Sequence, residues 1–233
     1  MLGCKPSDTS IKVGKMTEDI RKPVDKNRYQ RLVEKLIYLS HTRQDIAFAV
    51  IVVSQHMHSP MEIHLEVVYK ILIYLKGSLG RGLFFKKSES KEVEVFTNAD
   101  CAGSTEDKMS TTGYCTFVWG NLVTWRSKKH NVVVRSSTET KFRAIAQRIC
   151  EGLWLKKLFA DIQVTVKFLI KLYCDNKAAI NISLNQAQHD QTIGIIYVLT
   201  KEQTAYIFTK GLSQQSFNGF IDKLDMINIY NPT

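Results

Sequence analysis

Residues 96–103 read FTNADCAG and close the run EVEVFTNADCAG that begins at Glu92. Along this run Val93, Val95 and Thr97 alternate with Glu92, Glu94 and Phe96, the period of a strand, and Gly103 with Ser104 supplies a turn. A strand that ends on an acidic residue beside a turn of small residues is a common way to hold a metal ion. Here the strand ends Asn98-Ala99-Asp100, so the layout suits a metal site while its first polar residue is uncharged.

The surrounding pattern fixes what that strand belongs to. Downstream, TTGYCTFVWGNLVTWRSKK from Thr111 is two β-rich runs, with Gly120-Asn121 as the expected hairpin centre. A helix is expected from about Ser137 to Asp161, with Phe142, Ile145, Ile149, Leu153 and Leu158 on its inner side. Ser136 followed by Glu139 matches a capping box at its start. The strand FLIKLYCDN, a short helix after Asp175, the strand GIIYVLT from Gly194 and a helical tail from Gln203 complete this part. Three antiparallel strands, a helix, then strand, helix, strand and helix describe a mixed sheet flanked by helices, an α/β arrangement.

Upstream the periodicity is helical. NRYQRLVEKLIYLSHT places Leu32, Leu36 and Leu39 on one face. QDIAFAVIVVSQHMH is apolar nearly all round and is expected to be the enclosed helix, and MEIHLEVVYKILIYLKG starts after Pro60 and stops at Gly77. Residues 1–26, with Pro6 and Pro23, read as an extended tail. From Gly80, GLFFKK marks the change to strands.

The 233 residues, 44% hydrophobic, are ample for a buried core. No apolar run reaches the roughly 18 to 20 residues of a membrane span, because Arg43, Asp45, Gln55, Glu66 and Lys70 interrupt the greasiest region. The start MLGCKPSDTSIKVGK lacks the apolar centre of a secretory signal, so an intracellular location, cytoplasmic or nuclear, is expected. Cys4, Cys101, Cys115, Cys150 and Cys174 show no metal-ligand spacing and read as free thiols, mostly small core residues. A net charge of +10 suits a polyanionic partner such as nucleic acid, though solubility alone accounts for it equally well.

The strings RYQRLVEKLIYLSHTRQDIAFAV, FTNADCAGSTEDKMSTTGYCTFVWGNLVTWRSKKHNVVVRSSTET, KLYCDNKAAI and TAYIFTKGL closely resemble the C-terminal part of the Pol polyprotein of plant copia-type retrotransposons. The resemblance covers nearly the whole chain. It implies that residues 1–80 are a helical remnant of the reverse transcriptase end, and that 81–233 are a ribonuclease H-like domain with a mixed five-stranded sheet. It further implies a Mg²⁺-dependent hydrolase that cuts the RNA strand of an RNA–DNA hybrid, two metal ions being held by four carboxylates. The rest of the Pol polyprotein would be a partner if the chain is part of a longer one. No paired-aspartate polymerase motif occurs in the chain, so DNA synthesis is not expected of it alone.

Carried over residue by residue, the resemblance yields an altered site. The first-strand aspartate position is Asn98, the long-helix glutamate position is Lys141, and the last-helix aspartate position is Tyr206; Asp175 alone stands. Magnesium needs oxygen ligands in near-octahedral geometry, and an ammonium among them repels it. A tightly held metal pair is therefore not expected, and activity is expected to be lost. Asp100 lies two residues past Asn98 and would face the same side, a weak substitute ligand beside Asp175. A working nuclease would need a third acid, for which only Asp107 and Asp190 offer themselves. The stretch between Asp175 and Tyr206 is short against the family pattern, as if a helix were missing before the last strand, and His189 there reads as a surface residue.

The alternative is a non-catalytic nucleic-acid-binding module. WRSKKHNVVVRSS combines Trp125 with Arg126, Lys128, Lys129, His130 and Arg135, the mixture of ring and cation that binds phosphates and stacks on bases. A solvated hairpin edge guarded by lysines explains the same residues equally well. Ser104, Ser110, Thr111 and Thr112 could touch a nucleic-acid backbone, but turns commonly carry such residues. His56, His58 and His64 read as helix-end surface residues rather than metal ligands, and Trp119, Trp125 and Trp154 as core or hairpin packing.

Overall fold

The computed structural model describes residues 3–12, 22–101, 109–130, 134, 136–164, 169–186 and 192–230. The chain forms two compact units, 1–84 with 210–233, and 85–209.

In the first unit, helices α1 (Lys26–Leu39), α2 (Ala47–Ser54) and α3 (Glu62–Gly77) follow the expected periodicities. Asp25 caps α1 by accepting from the Asn27 and Arg28 amides. A 3-10 turn, Gln44–Ile46, leads into α2, whose Ala47, Ala49, Val50 and Val53 are buried, as an all-apolar helix requires. Strand β1 (Arg81–Leu83) pairs antiparallel with β7 (Met226–Asn228), which follows helix α6 (Gln214–Lys223). Phe217 of α6 meets Tyr74 of α3 edge to face at 5.6 Å. The C-terminal helix and strand, read from sequence together with residues 81–209, thus cluster with the helical unit. GLFFKK contributes only Gly82 and Leu83 to a strand, and Phe84 and Phe85 beyond it are exposed.

His64 is not a surface residue, as the sequence suggested. It is buried, its Nδ1 accepts from the Met61 amide at 3.1 Å to close the start of α3, and its ring stacks on His56 at 3.5 Å.

The second unit holds the predicted five-stranded mixed sheet. Strands β2 (Val93–Asp100), β3 (Thr111–Val118) and β4 (Asn121–Lys129) are antiparallel neighbours, and β5 (Ile170–Cys174) and β6 (Ile193–Tyr197) add in parallel on the other side of β2. The order is β4-β3-β2-β5-β6. Helices α4 (Ser137–Asp161) and α5 (Lys177–Gln186) close one face over Val93, Val95, Ile170 and Leu172, with Ala179 and Ile180 of α5 in the same core. On the opposite face Phe96 stacks on Tyr173 at 4.6 Å and meets Phe117 edge to face.

Several local expectations shift by a residue or a turn. The β3–β4 turn is Trp119-Gly120 rather than Gly120-Asn121: both have positive φ, which a two-residue hairpin of the favoured hand demands and which glycine supplies at one position only. On α4 the buried stripe is Ile145, Gly152, Leu155 and Phe159, with Phe142 and Ile149 packed beside it; Leu153 and Leu158 lie off that stripe and are partly exposed. Trp154 is 57% exposed, so it is not core packing, and Cys4 and Cys150 are exposed while Cys115 and Cys174 are buried. At Gly152 a Cβ would stand 3.0 Å from Ile193, so the glycine lets α4 lie close on β6. Strand β6 is the sheet edge, and Ile196 and Tyr197 within it, with Leu199 beyond, are exposed by more than a third. Residues 187–191, part of the stretch that reads short against the family pattern, lie outside the described residues, His189 and Asp190 among them.

Candidate functional site

The strand period brings Asn98 and Asp100 to one face of β2, where their register partners on β3 are Gly113 and Thr111. A 3-10 helix, Thr204–Phe208, lies against this face and carries Tyr206. Gly113 permits the approach: a Cβ there would come within 2.6 Å of Phe208 Cβ and 3.0 Å of the Ala205 carbonyl. Gln203 fixes the helix from below, fully buried, with its Nε2 donating to the Tyr173 carbonyl and its Oε1 accepting from the Ala205 amide.

Asn98 is buried, and its amide donates to Thr209 Oγ1 at 2.9 Å. Thr209 in turn donates to the Tyr206 carbonyl at 3.0 Å. This relay runs in one direction, from amide to hydroxyl to backbone oxygen, and it uses the donor that an aspartate would lack. The Asn98 carbonyl oxygen is buried with no hydrogen-bond partner among the described residues, a cost of about 1–3 kcal/mol for an isolated polar atom.

Lys141 and Asp175 meet directly. The lysine Nζ donates to Asp175 Oδ1 at 2.6 Å, with side chains only 14% and 3% exposed. Thr200 donates to the other carboxylate oxygen at 3.1 Å. Asp175 therefore has both oxygens engaged by protein donors, and its charge is answered by an ammonium rather than left for a cation. The next residue, Asn176, turns away to accept the Ala179 amide and start α5.

The N-terminus of α4 orients Lys141. Ser136 accepts the Glu139 amide at 3.0 Å, half of the predicted capping box, while the Glu139 carboxylate binds Arg143 at 2.7 Å instead of reaching back. Glu139 thus points away from Asp175, as its helical position requires. Among the described residues no three His, Cys, Asp or Glu side chains converge as a group that could hold a metal ion, and the side chains at the positions the family resemblance points to beside Asp175, an amide, an ammonium and a phenol, do not suit a magnesium pair. Asp107 lies outside the described residues.

The basic residues are on β4 and just beyond it. Arg126 and Lys128 are exposed, and register pairs them with Tyr114 and Thr112 on one face, while Lys129 pairs with Thr111 on the other. The stretch therefore divides its cations between the two faces of an edge strand. Arg135 and Ser104 lie outside the described residues. Two contacts of this region have no signal in the sequence, although His130 itself belongs to the basic stretch. His130 sits beside Thr112, with Nε2 and Oγ1 2.5 Å apart, and Arg148 of α4 stacks over the Tyr114 ring at 3.7 Å. The first ties the end of β4 to β3 and the second joins α4 to the hairpin, and no local spacing signals either contact.

No family model matches the chain. It is 32% identical over 226 residues to a retrovirus-related Pol polyprotein from transposon RE1 of Arabidopsis thaliana, covering 89% of this chain and 15% of that protein. It is 38% identical over 156 residues to an uncharacterized mitochondrial protein of the same plant, covering 66% of this chain and 65% of the relative. Among solved structures, a crystal structure of LC11-RNase H1 in complex with an RNA/DNA hybrid matches 48% of this chain and 88% of its own at 8% identity and a TM-score of 0.33, too loose a likeness to argue from.

Proposed function

Since the chain belongs to the family of the retrovirus-related Pol polyproteins of plant transposons, and spans about 15% of the length of the first of them, we propose that its second unit is a ribonuclease H-like domain that no longer cuts and that retains affinity for RNA–DNA hybrids through the β4 hairpin. The observation that carries this reading is the 2.6 Å Lys141–Asp175 ion pair. Where the family pattern calls for carboxylates to gather around two magnesium ions, the one remaining carboxylate is bound by a lysine. At ~4 Å and an effective dielectric of ~20, a unit charge repels another by about 4 kcal/mol, and a divalent ion feels roughly twice that. Hybrid binding is supported by the exposed Arg126 and Lys128, beside the half-buried Trp125 and Lys129, on an edge strand. Retention by a longer Pol polyprotein, as a structural segment of it, belongs to the same proposal.

The test is incubation of the full chain with a labelled RNA–DNA hybrid in Mg²⁺. Salt-dependent binding with no loss of the RNA strand is expected. Mg²⁺-dependent cleavage that disappears in Asp175→Asn would overturn the loss of activity.

A further inference from the structure

The hairpin's cations are joined by a group from a different element. His130 follows β4; Lys128 precedes it by two residues on the same strand face, α4 lies against that face through Arg148 on the Tyr114 ring, and the charge of Arg143 in the second turn of α4 acts on the imidazole. Thr112 of β3 holds the ring through its 2.5 Å contact, and the His130 amide donates to the Ser110 carbonyl at 2.9 Å, which fixes the backbone. Lys128 makes no ion pair among the described residues. Arg143 is paired with Glu139, but at side-chain exposures of 54% and 40% that pair holds little energy and can be exchanged for a stronger anion.

We infer that Lys128, His130 and Arg143 form a phosphate-binding corner bridging the hairpin to α4, at which His130 takes up a proton when a phosphodiester binds. The inference rests on the hairpin being the hybrid-binding surface. It adds Arg143 of α4 to that surface and makes binding depend on pH. Partial burial and then the charges of Lys128 and Arg143 hold the His130 pKa below its ordinary value. A phosphodiester placed between the three groups cancels those charges and favours the imidazolium. The Thr112 hydroxyl serves both states, donating to an unprotonated Nε2 and accepting from a protonated one, so the ring can change charge without losing its contact. Glu139, on the same helix face as Arg143, is the carboxylate next to the cluster, and Arg143 occupies it in the free chain.

The sign follows from linkage. His130 is neutral in both states at high pH and charged in both at low pH, so affinity rises as pH falls through the pKa of the complex and levels off below that of the free chain. The gain is about tenfold for each pH unit by which binding raises the pKa.

The experiment is hybrid binding by fluorescence anisotropy with the full chain, between pH 8.0 and 6.0 at constant ionic strength, for the unaltered protein, His130→Gln and Arg143→Gln, each checked for folding by circular dichroism. The expected result is a Kd tighter by about threefold to tenfold at pH 6.0 for the unaltered chain and a flat profile for His130→Gln. A second readout is the NMR titration of the His130 ring in the free chain, which should move to higher pH in Arg143→Gln, a shift that a merely structural arginine would not cause. Binding that is independent of pH, the same pH response in His130→Gln, or an unmoved His130 titration would overturn the inference while leaving hybrid binding intact. Absence of hybrid binding at every pH would overturn both this inference and the reading on which it rests.

Discussion

Among the described residues the most buried ion pair of each unit is Arg43–Asp45 in the first and Lys141–Asp175 in the second, and the two are built differently. In the first, Arg43 grips Asp45 with two parallel hydrogen bonds, of 2.9 Å from Nε and 2.6 Å from Nη2. Every remaining group there has a partner: Ser78 takes two further guanidinium bonds, Tyr74 donates to Asp45, and Arg81 donates to Tyr74. Burial and the Asp45 charge push the Tyr74 hydroxyl well above its ordinary pKa, so it stays a donor. In the second, Lys141 reaches Asp175 through one flexible ammonium, with Thr200 alone beside them. The first pair is a closed network in which fork and carboxylate match in shape. The second is a point charge at a position that the family resemblance reserves for a metal ligand. A buried charge can be answered by geometry or merely by sign, and only the first kind fixes a structure.

Removing the acid should separate the two most sharply. Asp45→Ala leaves a guanidinium buried without its partner and is expected to cost about 3–5 kcal/mol in urea denaturation, a large share of the about 5–15 kcal/mol that holds an ordinary domain folded. Asp175→Ala should cost less, about 1–3 kcal/mol, because Lys141 can withdraw its ammonium along its apolar stem to water. Equal losses would mean that the Lys141 pair is as structural as its counterpart.

Restoring carboxylates tests the sign argument. Lys141→Glu removes a repulsion of several kcal/mol and sets two carboxylates together, so the variant should be less stable alone and be rescued by Mg²⁺, seen as a Tm that rises with the ion. Asn98→Asp changes the charge by one and removes the donor that serves Thr209, so it should lose stability with a smaller gain in Mg²⁺ affinity. Neither variant should cleave a hybrid, since the other substituted positions remain. Robust cleavage by Asn98→Asp alone would refute the assignments at Lys141 and Tyr206 together.

The smallest effect is expected on the hairpin. Arg126→Ala should weaken hybrid binding uniformly across sequences and lower the slope of log affinity against log salt by about one. A loss of folding instead would assign the residue to the sheet.

Much of the fold can be read from residue patterns. The Val93/Val95 alternation, the Ser136 cap and the apolar period of residues 47–54 each act over a few residues, and β2, α4 and α2 lie where those signals put them. The hairpin turn moved by one residue because positive φ at Trp119 is imposed by the register of β3 and β4, which composition does not reveal. At the candidate site, the residue types at Asn98, Lys141, Asp175 and Tyr206 came from the family resemblance, whereas their partners came only from structure. Nothing near Asn98 in sequence announces Thr209, and nothing near His130 announces Arg143. His64 escaped for the same reason: its hydrogen bond to the Met61 amide is local, but its burial depends on packing around it.

The central claim is that the position of Asp175 is closed to a divalent ion by Lys141. Calorimetric titration of Mg²⁺ into the folded chain tests it most directly, with Asp175→Asn as the reference. The account predicts no saturable heat in the low millimolar range for either protein. A saturable binding heat in the unaltered chain that vanishes in Asp175→Asn would contradict it.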